Sequence, residues 1–159
     1  MIDIETFRVV LGRFASGVSI ITARDARGED HGMTVSAFCS LSLSPTLVLV
    51  CIAHDASMHS LMLDHPSFGV NILSSEQEEY SRRFAAEEND RFEGIAFRRG
   101  QDGVVLLEDA LAHMECHVVQ HHDAGDHTIF IGEIDQAQPM ASDGRPLLYY
   151  RGGYAQLER

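Results

Sequence analysis

The sequence predicts a mainly β protein, an antiparallel barrel with a few short flanking helices. Three observations carry this. Strand-like runs recur along the chain, at about Val18–Ala23, from His31 onward, Thr46–Ala53, Phe68–Leu73, Ala110–His121, His127–Gln138 and Leu147–Tyr150. Turn residues separate them. The helical stretches between them are few and short, which favours an antiparallel barrel over a βαβ sheet. The chain has 159 residues and shows no linker, repeat or low-complexity tract, so residues 1–159 read as one domain.

Residues 3–14 open the chain as an amphipathic helix. Asp3 is the expected N-cap, and Phe7, Val10, Leu11 and Phe14 form one apolar stripe. Gly12 and Gly17 have the spacing of a phosphate loop, but Val18 stands where that loop needs lysine, and Gly17 is read instead as the helix stop. Asp25-Ala26-Arg27-Gly28 is a turn. Thr46–Ala53 is apolar at successive positions, as a strand in the centre of a sheet or barrel would be. Ser57 is the expected N-cap of a short helix directly after it. Glu76–Ala85 is a third helix with acids at its start and arginines at its end, as the helix dipole prefers. Residues 86–103 are polar and irregular, anchored by Phe92, Ile95 and Phe97, and have the composition of a mobile flap. His122-Asp123-Ala124-Gly125-Asp126 signals a hairpin between the two longest strands.

Composition excludes several classes of function. A formal net charge of -12 disfavours nucleic acid or an anionic membrane as partner. All twelve basic residues are arginine, which removes a P-loop lysine and a lysine Schiff base. Three widely spaced cysteines, Cys39, Cys51 and Cys116, signal neither a disulfide framework nor a structural zinc site, and Cys51 and Cys116 fit apolar strand positions as small hydrophobes. The N-terminus lacks the pattern of a signal peptide and no apolar run is long enough to span a bilayer, so a cytoplasmic protein is expected.

The stretch Gly32–Pro45 mixes Thr34, Ser36, Ser40, Ser42 and Ser44 with Val35, Phe38, Leu41 and Leu43. This suits a wall that holds a flat apolar ring at some positions and a phosphate tail at others; it equally suits a half-buried strand whose hydroxyls bond their own backbone. The helix that starts at Ser57 offers unpaired N–H groups to an anion. There is no dinucleotide fingerprint, nucleophile elbow or HExxH. His113, Glu115, His117 and His121 alternate along one strand face, a pattern open to metal binding but more simply a solvated polar face; no metal is assigned. His127, beside Gly125-Asp126, either projects from the hairpin edge into a cleft or is a turn histidine satisfied by its neighbour.

Taken in order, several of these segments are similar to the flavin reductase-like family, the short NAD(P)H:flavin oxidoreductases that supply reduced flavin to two-component monooxygenases. The resemblance runs through Phe7-Arg8, Gly12–Val18, Gly32–Phe38, Ser42–Pro45, Phe68–Leu73, Arg83-Phe84-Ala85, Gly125-Asp126-His127, Ile131–Ile134, Pro146–Tyr150 and Gly153-Tyr154. It implies an FMN-binding split barrel, a homodimer with flavin near the subunit interface, and a flavin-dependent monooxygenase as recipient of reduced flavin. It further implies that Gly32, Met33, Thr34, Val35, Ser36, Ser40 and Leu41 line the flavin, and that Ala53 and Ser57 cradle its phosphate. Arg83 and Phe84 would approach from the following helix, His127 would position the nicotinamide, and Tyr154 would close the site. The expected cofactors are FMN or FAD, with NADH (or NADPH) as hydride donor and NADH favoured. The alternatives are an oxidase or oxygenase that retains its flavin, and a non-catalytic flavin- or haem-binding barrel.

Overall fold

The computed structural model describes residues 1–86, 90–140 and 143–158. In chain order the elements are α1 (Ile4–Leu11), β1 (Ser16–Gly17), β2 (Ser19–Arg24), β3 (Asp30–Val35), β4 (Phe38–Leu43), β5 (Thr46–Ala53), α2 (Ser57–Asp64) and β6 (Ser67–Ile72). A 3-10 turn, Ser75–Gln77, leads into α3 (Glu78–Ala85), followed by β7 (Phe97–Arg99), β8 (Val105–Leu107), β9 (Ala112–Ala124), β10 (His127–Pro139), β11 (Leu148–Tyr150) and β12 (Gly153–Ala155). Seven strands pair antiparallel in the order β3-β2-β6-β9-β10-β5-β4, an open antiparallel sheet consistent with a split barrel. Small sheets β1-β11-β12 and β7-β8 lie beside it.

The core has two parts, divided by the sheet. Ile21, Val70, Phe68, Val50, Ile52, Cys116 and Phe130 point to one side, where α2 closes the barrel with Met58, Leu61 and Met62. Ile20, on the opposite face of β2, joins Val18, Leu73, Phe84, Ile95, Val105, Leu107 and Leu147. Because side chains alternate along a strand, a run such as Ser19-Ile20-Ile21-Thr22-Ala23 is buried throughout only where both faces are covered. Here α2 covers one face, and α3 with the β7-β8 hairpin covers the other. Burial also pushes the Cys116 thiol up to about 12, so it acts as an inert apolar side chain.

Asn71 ties the layers together. It has no exposed surface; its Nδ2 donates to Ile20 O at 3.1 Å, and its Oδ1 accepts from Leu107 N at 2.7 Å. Thr22 Oγ1 adds a second stitch to Val105 O at 2.6 Å. Close approach is possible because Gly69 has no Cβ, which would stand 2.4 Å from Thr22 Oγ1.

Several sequence-based boundaries shift. Asp3 does cap α1, its carboxylate accepting from Thr6 N at 2.8 Å, but the helix stops at Gly12 and not Gly17; Ser16 and Gly17 pair with Tyr149 and Leu148. Ser57 is the first helical residue of α2, with Ala56 at the cap and no side-chain capping bond. The stretch expected to be a flap carries β7 and the buried Ile95, and Arg98 and Arg99 face outward at polar positions that hid the hairpin from a hydrophobicity reading; its residues 87–89 lie outside the described residues. The apolar stripe of α1 is real but uncovered: the helix has no buried residue, and Phe7 and Phe14 are 50% and 79% exposed.

Replacing Asn71 with Ala leaves the Leu107 N–H buried without an acceptor, which should cost about 1–3 kcal/mol. Urea unfolding of the two proteins measures this; an unchanged midpoint would show that Asn71 is not the tie between sheet and hairpin.

Candidate flavin site

The largest concavity at the β3 edge is a cleft of about 950 Å³ lined by Glu29, Asp30, His31, Gly32, Ser57, Asp90, Arg91, Phe92 and Glu93. Its walls come from β3, the start of α2 and the segment after α3. Gly32 is there by necessity. A Cβ at this position would stand 2.5 Å from Phe84 Cε1, so only glycine lets α3 pack against β3. The Phe84 ring, 1% exposed, meets Phe92 edge-on with centroids 4.9 Å apart. Arg91 Nη1 donates to Gly32 O at 2.7 Å and clamps the same strand from the far side of the cleft.

The expected site residues fall into groups. Gly32 and Ser57 line the cleft directly. Phe84 supports Gly32 from behind, and Arg83 donates to Glu93 O at 2.7 Å and to Glu79 Oε1 at 3.1 Å, so its guanidinium braces the cleft wall. Thr34 Oγ1 donates to Ser81 O at 2.6 Å, while Ser81 Oγ and the Tyr154 hydroxyl are 2.7 Å apart. Arg82 lies over the Tyr154 ring at 4.7 Å. Strand β3, helix α3 and strand β12 are thereby locked at one corner. Ala53 pairs with His127 across β5 and β10, and His54 N donates to Asp126 O at 2.9 Å, which places the hairpin turn beside the start of α2.

The Met33 side chain packs against the barrel core and that of Val35 lies within it, so each has chiefly its backbone to offer outward. Ser36, Ser40 and Leu41 are exposed, the last two on edge strand β4 beside a bulge between Ser40 and Ser42. These three are not among the walls of the cleft. His127 is bonded to its neighbour at the turn and is not among the walls of the cleft. Its Nδ1 lies 2.7 Å from Asp126 Oδ1, and a proton shared there leaves Nε2 available to a ligand. That hydrogen bond, first among the causes, holds the Asp126 carboxyl below its ordinary range.

The alternating set on β9 does not converge. His113 turns inward and bonds Leu107 O, Glu115 accepts from Gln101 N at 2.6 Å, and His117 faces Asp135 at 2.8 Å. The contributions of Arg91, His31 and Asp30 to the cleft were not read from sequence. Arg91 adjoins Phe92, which was recognised only as an apolar anchor. Asp30 is held by a two-pronged bond from Arg99, both contacts at 2.8 Å, across a separation of 69 residues that no local pattern signals.

The residues fit a flavin. A cleft of this size accepts a ligand of several fused rings. Phe92, packed over Gly32, gives the cleft an aromatic wall against which such rings can lie, and the hydroxyl of Ser57 with the first N–H groups of α2 gives donors for a phosphate. The fold and cleft thus define a flavin-binding barrel of reductase type.

Comparison with known proteins agrees. Residues 11–158 match the flavin reductase like domain family, and the chain belongs to it. An NADH-dependent flavin reductase from Rhodococcus sp is 46% identical over 155 residues, covering 95% of this chain and 85% of the relative. The reductase component of a 4-nitrophenol 4-monooxygenase/4-nitrocatechol 2-monooxygenase from Rhodococcus opacus is 40% identical, covering 96% of this chain and 80% of the relative. An NADH:FAD oxidoreductase from Streptomyces globisporus, solved with NAD and FAD fragments, superposes with a TM-score of 0.92 at 34% identity, covering 99% of this chain and 96% of that one. The chain is an oxidoreductase of the flavin reductase class. Neither a flavin-retaining oxidase nor a non-catalytic binder finds support in these relatives.

One wall of the cleft rests on a charged turn whose behaviour with pH can be derived. Asp25 Oδ1 accepts from Glu29 N and Arg27 N, each at 2.9 Å, and Oδ2 meets His31 Nε2 at 3.1 Å. The Glu29 N–H, then the His31 ring, lower the Asp25 carboxyl from 3.8 to about 2. A depressed carboxylate stabilises the folded state above its unfolded value, and that contribution disappears as pH falls through about 2. Wild type should therefore unfold at a higher denaturant midpoint than Asp25→Asn above about pH 4, with the gap closing toward pH 2. A gap independent of pH would show that the turn does not depend on the ionised carboxylate.

Proposed function

We propose that this chain is the reductase component of a two-component flavin-dependent monooxygenase, using NADH to reduce a flavin that then leaves for its partner. The observation that carries the reading is the solvent-open cleft with Phe92 packed over Gly32 on one wall and the first turn of α2 beside it. When bound, flavin supplies the chemistry by accepting hydride from the reduced nicotinamide. The protein's part is binding and orientation.

The roles follow from placement. Gly32, Met33, Thr34 and Val35 of β3 and the following Ser36 lie along the ring, with Thr34 fixed by Ser81. Ala53 and Ser57 frame the phosphate at the start of α2, and Ser40 and Leu41 extend the surface along β4. Arg83 and Phe84 hold the wall upright, and Tyr154 fixes its corner. His127, with Nδ1 engaged by Asp126, directs Nε2 at the nicotinamide. Four acids, Glu29, Asp30, Asp90 and Glu93, line the cleft, and although Arg99 neutralises Asp30 the field opposes an additional 2′-phosphate. This supports NADH over NADPH. FAD is the flavin of the Streptomyces globisporus relative, with FMN the alternative substrate. A reaction that draws on NADH belongs in the cytoplasm, and one domain spanning residues 1–159 carries it.

The uncovered face of α1 supports a homodimer. Ile4, Phe7, Val10 and Leu11 are all at least half exposed on one short helix, and Leu43 on edge strand β4 is 93% exposed. A second copy would remove this apolar surface from water. Phe7→Glu should convert the dimer to monomer in light scattering. A monomeric wild type, or a variant that stays dimeric, would remove α1 from the interface.

The test of activity is NADH oxidation followed by its absorbance while free FMN, then FAD, is titrated without a monooxygenase. Saturable turnover that depends on added flavin is expected. His127→Ala should lower kcat/KM for NADH by up to about 100-fold through lost positioning. Absence of turnover with either flavin would overturn the reading.

A further inference from the structure

We propose that His54, His59 and Asp123 form a binding site for one divalent transition-metal ion, Zn²⁺ by ligand chemistry, where α2 meets the end of the β9-β10 hairpin. Three separate elements deliver the ligands. His54 follows the last residue of β5, His59 lies in the first turn of α2, and Asp123 is near the end of β9. The donor atoms of all three lie within 4.8 Å of one another, and His54 Nε2 is 3.7 Å from Asp123 Oδ1. Ligands about 2.0–2.1 Å from a tetrahedral ion stand about 3.4 Å apart, so small side-chain rotations bring this set to coordination distance.

The side chains are already aimed at one point. The Thr128 hydroxyl, without exposed surface, lies 2.8 Å from His59 Nε2 and 3.2 Å from His54 Nε2, and it donates to Asp123 Oδ1 at 2.6 Å. The two imidazoles meet edge to face at 4.9 Å, and His59 backs onto the buried Phe130 ring at 5.7 Å, which limits its swing on the apolar side. Two imidazoles and one carboxylate suit Zn²⁺ or a neighbouring first-row ion and not Mg²⁺ or Ca²⁺, which prefer all-oxygen sets. The fourth position falls to water or to the Thr128 oxygen.

The other cluster of similar composition, Asp25, Glu29 and His31, differs in kind: its central carboxylate is already used by the N–H groups of its own turn. His54 and His59 have no such backbone employment through their ring Nε2 atoms. An ion here would pin the start of α2 to the hairpin, within a few residues of Ala53, Ser57 and His127. It would act as a clamp on one end of the cleft and take no part in hydride transfer.

The test is calorimetric titration of ZnCl₂ into the full chain, free of any polyhistidine tag and stripped of metal with chelator. One Zn²⁺ per chain is expected. Loss of a ligand should weaken binding at least as much as loss of an outer-sphere partner does, roughly 10–100-fold, in His54→Ala and in His59→Ala. His122→Gln, an exposed histidine of the same hairpin outside the cluster, should bind as wild type does. Zn²⁺ should also raise the Tm of wild type and not of His54→Ala. No binding, unchanged affinity in His54→Ala, or an equal loss in His122→Gln would each overturn the site. His54 is exposed, so its variant remains informative even where His59→Ala fails to fold.

Discussion

The buried amide of Asn71 is the constraint on which the two-layered arrangement turns. A sheet covered on both faces needs its outer cover held in register, and apolar packing alone is indifferent to small slides. Asn71 bonds Ile20 on β2 and Leu107 on β8 at once, so the hairpin β7-β8 can sit in one place only. Once that hairpin is fixed, Arg99 reaches Asp30 and Ile95 enters the outer core. The position of β3, an edge strand with a partner only in β2, therefore depends on a side chain two strands away.

The cleft inherits this construction. One wall is built around Gly32, buried in β3 because the Phe84 and Phe92 rings occupy the space its Cβ would take, and Arg91 holds its carbonyl. Substitutions that move α3 by a fraction of an ångström would shift Phe84 against Gly32 and with it the wall of the cleft. The corner formed by Thr34, Ser81 and Tyr154 resists such movement through two short hydrogen bonds. Catalysis by proximity needs that kind of rigidity in the wall more than it needs an acid or base on it.

How much of this was legible in the sequence depends on the range of the signal. β5 was read at Thr46–Ala53 with both ends correct because its hydrophobic run and its bounding Pro45 are local, and Asp3 was read as a cap for the same reason. The β7-β8 hairpin was missed because β7 is mostly arginine, and its justification, Arg99 on Asp30, lies far away in the chain. Gly17 was misread as a helix stop because a strand of two residues, paired with β11, leaves no periodic trace. At the site, Gly32 and Ser57 were named through the family resemblance and do line one cleft, while Arg91 and His31 carry no motif and emerge only when the walls are assembled. His54 and His59 escaped notice because a cluster built from a turn, a helix and a distant hairpin has no spacing to recognise.

The charge distribution bears on how long a flavin would stay. No lysine exists to grip a phosphate, and the arginines near the cleft are largely engaged: Arg83 with Glu93 and Glu79, Arg99 with Asp30, and Arg91 with Gly32. On the proposed reading, phosphate recognition would be left to Ser57 and to a helix of eight residues whose cap makes no side-chain bond. The four acids lining the cleft, in a protein of net charge -12, would weaken that hold further. On the reductase reading proposed above, such a site would bind mainly through ring contact and let go of the tail readily. For an enzyme that must surrender reduced flavin to a second protein, a firm phosphate grip would slow release and with it turnover. A weak anion site would then be a working part of the design that the proposed reading requires.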